Sequence, residues 1–530
     1  MNRVLEKVFS SFSRHARAKG YYSYPEGSPT RSIVFRVQYA GAEPIREGRA
    51  VLFFAPVSDP EPRFEAFDLD MLKPMFAKDV LDVQPGDVVD FDSTEFSMPE
   101  ALAFVPKDLS AFADGLFVQA LFSQNLDDPD ANSCVGNHFS KPVAATYDPT
   151  ATAHIVNIVA DQIITETMDL TPTEWIQHVT MKSELLSEFH GKDVFMYASV
   201  VLPKDYASRA SNATFPTVYY IEGFTGTESY ADRARAFLAS EMGDVWKAGE
   251  WSVPMLRVTL GSRFKFGHTS FADSEASGPW GTALVSEFIP YLESQFAMVK
   301  ASSGRFLHGH SSGGWATLWL QIQHPEFFGG AWSSAPDPVD FSHFQVVNLY
   351  KAANMYWDPY GRPYPTSRED GDVTCTIRNE NLVERVFANG NGGQWDAFCA
   401  VFGPLDSKTG LPVPLFDKVT GVIDRAVVAY WERFDIVKVL QAGGQPLLDR
   451  LQDKIHVVCG SEDTYYLEGA CYALQEIIGP KSKRAGSFEP QVESYVDIVA
   501  GDHTSIRNRG HYQVVYEEIA LAFQRHKTYA

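Results

Sequence analysis

Cysteine is scarce in this chain, with five in 530 residues, at positions 134, 375, 399, 459 and 471. The number is odd and no two are spaced C-x-x-C. Neither a structural zinc site nor a disulfide framework is expected, although a single bridge stays open. Positive charge is also in deficit: 45 Lys and Arg stand against 67 Asp and Glu, a formal net charge of −22, with a pI near 5.1. Phosphate backbones and anionic lipid would be repelled, so nucleic acid and membrane are excluded as partners. Long hydrophobic runs are missing as well. None approaches the ~18 apolar residues that a membrane-crossing helix needs. The opening stretch, MNRVLEKVFSSFSRHARAKG, is basic but has no continuous apolar core. As written it is not a secretory signal, and we expect a cytoplasmic protein, or a secreted or periplasmic one if a leader was removed. Internal repeats, low-complexity tracts, a dinucleotide fingerprint, a P-loop and metal-ligand spacings are all lacking, so no cofactor and no metal is expected.

What is present describes a folded globule. Hydrophobic residues make up 45% and charged residues 21%, a balance that buries a core. The length calls for two or three domains. Aromatic residues reach 13%, which suits large cores and aromatic-lined pockets. Residues 1–24 read as a polar helix or loose leader. From 25 to 172 come short β-type runs, among them SIVFRVQYA, AVLFFAPV, DVVDFD and GLFVQALF, broken by Pro, Gly, Asp and Asn. They predict an all-β, sandwich-like domain. From 173 to 530 apolar strands alternate with helix-length patterns. FPTVYYIEG, MLRVTLG, GRFLHGH, GGAWSSAP, KIHVVCG and SYVDIVAG read as strands. SYADRARAFLASEM, TALVSEFIPYLESQF, WATLWLQIQ and HYQVVYEEIALAFQRH read as helices. That alternation predicts a doubly wound, mostly parallel α/β sheet. It is interrupted at about 338–444 by an irregular, aromatic-rich insertion, of a kind that often covers an active site.

Chemistry concentrates in Gly309-His310-Ser311-Ser312-Gly313, a G-x-S-x-G pattern. An apolar strand precedes it, and the helix it opens carries Trp315, Leu318, Trp319 and Ile322 at helical spacing. This is the strand–turn–helix setting of a nucleophile elbow. Ser311 holds the central position. A serine hydroxyl is a poor nucleophile at neutral pH and needs a base with an orienting carboxylate. The partners are expected in the order serine, acid, histidine. Asp463, after the strand KIHVVCG, is the first candidate acid, with Glu462 beside it and Asp337 as the fallback. His503, after SYVDIVA, is the candidate base. His308 and His310 lie too close in sequence to Ser311 to serve it and read as structural.

An oxyanion hole needs two backbone N–H groups. Ser312 is expected to supply one. The turn after FPTVYYIEG supplies the other, from Phe224 first or Thr225 second. Thr225, His268, Trp280 and Trp315 are candidate substrate contacts, because each lies on a loop or helix start at the ligand-binding edge of such a sheet. For His268 and Trp280, packing is the competing role.

Taken together, GFTG, GHTSFADSEASGPWGTALVSEFIPYLE, RFLHGHSSGGWATLWL, GSEDTYYL and AGDHTS resemble the esterase D, feruloyl esterase and enterochelin-esterase-like branch of the α/β-hydrolase superfamily. The resemblance covers roughly 180–530, less the insertion. It implies an α/β-hydrolase fold with Ser311 as nucleophile, Asp463 as acid, His503 as base, and Phe224 and Ser312 as oxyanion donors. Glu222 departs from the pattern, standing where many hydrolases have His. The expected activity is hydrolysis of a small-molecule or polymer-attached carboxylic ester through an acyl-enzyme. Acyl transfer to a sugar or alcohol, and a non-catalytic binding protein, are the alternatives. A homo-oligomer is possible for any of them.

Overall fold

In the computed structural model, residues 32–64, 75–92, 116–125, 131–145, 153–165, 168–211, 213–224, 229–387, 393–482 and 489–529 are described. The expected leader at 1–24 lies outside them. The chain forms two compact units. Residues 1–167 with 374–393 make the first, and 168–373 with 394–530 make the second.

The first unit contains two sheets. One is three-stranded, with Ser32–Tyr39 between Val88–Asp92 and Ala153–Ala160. The other runs Met75–Val83, Ile45–Ala55, Leu116–Ser123, His138–Phe139 and Gln162–Ile163, with Val143–Ala145 added beside Leu116–Ser123. Alternation decides which side faces inward. Phe35, Val37 and Tyr39 are buried while Gln38 is exposed, as a period of two requires. These three residues share a core with Leu52, Phe54, Phe76 and Phe122 of the second sheet. Val51 and Phe53 face the other way and pack with Val383. Val383 belongs to the helix Ile377–Phe387, so part of the insertion at 338–444 completes the first unit.

The second unit is built on one eight-stranded sheet. In spatial order its strands are Ile176–Ser183, Val194–Val201, Leu256–Leu260, Thr217–Ile221, Arg305–His310, Gly330–Ser334, Ile455–Gly460 and Tyr495–Val499. Val194–Val201 runs antiparallel to both neighbours, and the later pairings are parallel. Apart from the half-buried Arg305, the central strands are buried along their whole length. That explains why they read as continuous apolar runs, since helices cover both faces. One face packs Phe271, Trp280, Leu284 and Leu320. The other packs Phe237, Trp246, Tyr516 and Phe523. The antiparallel pair at the edge was not legible as two strands. A short helix, Glu184–His190, joins them in place of a tight turn.

All five cysteines are buried, and none is in a disulfide. Among the described residues no helix is long and apolar enough to cross a membrane.

Candidate active site

The parallel strands end on one edge, and the four chemistry-bearing loops leave from it. Arg305–His310 passes into the helix Ser312–Gln323 through a single residue, Ser311, at φ 56° and ψ −124°. A non-glycine residue in this region is strained, at a cost of order 1–3 kcal/mol, unless its surroundings impose it. Here the backbone is tied on both sides. Ser311 N–H donates to the Ser334 carbonyl (2.9 Å), while the Ser311 carbonyl accepts from Trp315 N–H (3.0 Å) and Asp337 N–H (3.1 Å). The helix start also crowds the neighbouring strand. A Cβ on Gly313 would lie 2.0 Å from the Ile221 carbonyl oxygen, so no larger residue fits. The turn leaves Ser311 half-buried and puts Ser312 inside, at 1% exposure.

Two strands further along the sheet, Ile455–Gly460 leads to Asp463, which is fully buried. Tyr495–Val499 leads to His503, which is 7% exposed. His503 Nδ1 lies 2.8 Å from Asp463 Oδ2. With Asp463 ionised, Nδ1 carries the proton and donates it, which leaves Nε2 free to accept one. The other carboxylate oxygen, Oδ1, accepts Tyr465 N–H at 2.9 Å. The Tyr465 ring meets the His503 ring edge-on at 4.9 Å. Arg368, from the insertion, donates to the Asp463 carbonyl (3.0 Å) and to Glu468 (2.7 Å). It ties the acid loop to the helix that follows.

Asp337, the fallback acid, is also at this edge. Ser312 Oγ donates to Asp337 Oδ2 at 2.5 Å, and Ser311 Oγ lies 3.4 Å from Asp337 Oδ1. Burial pushes the Asp337 carboxyl up to about 6, against the pull of the two serine hydroxyls and of His503. Gln394, also from the insertion, reaches Ser312 Oγ at 3.5 Å. His310 packs its ring 4.5 Å from that of His503. Burial first, then the neighbouring His503, push His310 well below the usual histidine range, so it is neutral. His308 is buried and neutral for the same leading reason.

The turn after Thr217–Ile221 lies against Ser311. A Cβ on Gly223 would fall 2.7 Å from Ser311 Cβ, so the absence of a side chain there is what lets the turn approach. Glu222 braces it. Its Oε1 accepts Gly223 N–H (3.1 Å), and its Oε2 accepts from Tyr220 OH (3.1 Å) and Arg507 (3.2 Å). Arg233 Nε is 3.4 Å from the same oxygen. The Gly223 amide is therefore occupied by a carboxylate, and Phe224 is the next residue along the turn. Thr225 lies outside the described residues.

Residues 194–394 match the family model described as "Putative esterase". Over that segment the chain carries an esterase domain. The matched segment holds Gly223, Phe224, Ser311, Ser312 and Asp337, while Asp463 and His503 fall beyond it. No curated protein matches the chain. Among solved structures, a ferulic acid esterase aligns over 66% of this chain and 97% of its own at 13% identity and TM-score 0.38. The S-formylglutathione hydrolase of Agrobacterium tumefaciens aligns over 66% and 95% at 15% identity and TM-score 0.34. The fluorophosphonate-binding serine hydrolase F of Staphylococcus aureus aligns over 66% and 98% at 13% identity and TM-score 0.35.

In the esterase domain three of the four candidate substrate contacts, His268, Trp280 and Trp315, sit deeper than their positions suggested, and Thr225 lies outside the described residues. His268 is buried, and its two ring nitrogens are engaged. Nδ1 accepts Ser270 N–H at 3.0 Å, so Nε2 carries the proton and donates it to the Glu222 carbonyl at 3.0 Å. Burial pushes His268 down to about 4. Its contacts brace the Glu222–Gly223 turn. Trp280 is inside the core, with its indole N–H on the Ser277 carbonyl at 2.8 Å. Trp315 stacks on Trp319 at 5.2 Å and meets Phe402 at 4.9 Å. Arg368, Gln394 and Tyr465 went unnoticed in the sequence. Two of them belong to the insertion, whose irregular pattern carries no periodic signal. Tyr465 lies two residues after Asp463 inside GSEDTYYL, where the acid alone drew notice.

Proposed function

We propose that the chain is a serine esterase in which Ser311, His503 and Asp463 form the catalytic set. His503 Nε2 takes the Ser311 proton as Oγ bonds to the ester carbonyl carbon. Asp463 holds the imidazole in the tautomer that can accept this proton and stabilises the cation that results. The Phe224 and Ser312 amides stabilise the oxyanion. Collapse of the tetrahedral adduct breaks the C–O bond to the alcohol, which leaves with the proton from His503. Water then adds to the acyl-enzyme, giving its proton to His503, and the carboxylic acid departs as Ser311 recovers its hydrogen.

The observation that carries this reading is the left-handed backbone of Ser311 at a strand-to-helix turn, on the same sheet edge as a buried His503–Asp463 pair. A strained residue is retained where its exposure serves a purpose, and a histidine oriented by a buried carboxylate is the base such a serine needs. In Ser311→Ala, hydrolysis of p-nitrophenyl acetate should fall more than about 10³-fold. Fluorophosphonate labelling should vanish with it, and the circular dichroism spectrum should not change. Wild-type turnover in that variant would overturn the assignment.

A further inference from the structure

Beside the Glu222 brace on the turn, the second unit contains a cavity of about 340 Å³. Its lining includes the guanidinium groups of Arg233, Arg257, Arg507 and Arg509 and the carboxylates of Glu222 and Glu241. Burial opposes the charge on Glu222, but Arg507 and Arg233 outweigh it and hold the carboxyl below its ordinary range, so it is ionised. Four cations against two anions leave two positive charges in excess.

Arg257 is the decisive residue. It is 3% exposed, and among the described residues it has no carboxylate within ion-pair distance. Its partners are neutral: the Tyr516 hydroxyl at 3.0 Å, the Thr259 hydroxyl at 2.6 Å, and the ring faces of Tyr220 and Phe237 at 4.0 and 4.4 Å. A buried cation without a counter-ion is costly, and such groups are normally paired. At the rim, Arg509 and Glu241 are exposed and 3.5 Å apart, a pairing that contributes little. Glu241 opens the helix Glu241–Ala248, capped by Ser240, and a helix start favours anions.

We infer that this cavity is a binding site for a small organic carboxylate, its anionic head on the guanidinium groups and its apolar body against Phe237 and Met242. The volume decides for an organic anion over a bare ion. It equals about eleven waters at ~30 Å³ each, and it lies within the range of small-molecule pockets. An inorganic phosphate would leave the apolar wall uncovered. The occupant would share Arg507 and Arg233 with Glu222, the residue that holds the Gly223 amide.

Titration calorimetry with benzoate, inorganic phosphate and benzyl alcohol tests this on the full chain. Benzoate should bind saturably at one per chain, phosphate more weakly, and benzyl alcohol not at all. Arg257→Met should abolish benzoate binding, and Arg509→Glu should weaken it at least fivefold. If Arg257→Met fails to fold, Arg509→Glu and the cavity-filling Ala236→Trp decide, the latter also blocking benzoate. Absence of saturable benzoate binding, binding unchanged in the folded variants, or tighter binding of phosphate would each overturn the proposal. The titration reads no turnover, so its failure leaves the proposed reaction untouched.

Discussion

At the scale of single residues, the site sets two carboxylates around one serine. Asp463 is held by His503 and by Tyr465 N–H. Asp337 faces the hydroxyls of Ser311 and Ser312. Burial lifts Asp337 to about 6. Folding therefore favours its protonated form. The sign follows from linkage. Between the unfolded value near 3.8 and the folded value the native state binds more protons, so this group's contribution to stability falls as pH rises through that window. Asp337→Asn removes the penalty. Its stability advantage over wild type, measured by urea unfolding, should be larger at pH 7 than at pH 5 by about 1 kcal/mol. A constant difference across that range would show that Asp337 titrates normally. His268 is shifted the other way, to about 4, and stays neutral through the same range.

At the scale of elements, the elbow helix is supported by the insertion. Phe402, on the helix Gln394–Phe402, packs against Trp315, Phe341, Trp431 and Phe434. Trp319 meets Phe434 at 5.3 Å. These rings fill the space next to the helix that begins at Ser312. Truncating Phe402 to Ala should cost about 3–5 kcal/mol, the usual loss for a large buried ring. Denaturant unfolding of the second unit measures it, and a loss under ~1 kcal/mol would mean that the cluster collapses to fill the gap. The buried central strands were legible because continuous apolar runs have few other uses. The edge strands Ile176–Ser183 and Val194–Val201 are buried only in part, so their pattern blurred. The insertion helices were not legible either. Their aromatic residues face other insertion residues and the elbow helix, and tertiary packing imposes no simple period on them.

At the scale of the whole chain, each unit packs apolar clusters of its own among the described residues. The chain leaves the second unit at 374 and returns to it at 394. Separate cores unfold separately unless an interface couples them, so scanning calorimetry should resolve two transitions. One two-state transition with matching calorimetric and van't Hoff enthalpies would contradict this. The sequence by itself determined the buried strands, the helices that alternate with them and their order. Local apolar runs, the glycines around Ser311 and the succession of strand and helix suffice for an α/β sheet whose serine, acid and histidine follow in turn. Local patterns act through neighbours a few residues away, and the elbow is such a feature. Only the tertiary structure decided which distant groups meet. It paired His503 with Asp463, brought Asp337 to the serines, braced Gly223 with Glu222 and left Arg257 buried with no counter-ion among the described residues. Burial and charge pairing depend on separations in space, and no spacing along the chain encodes them.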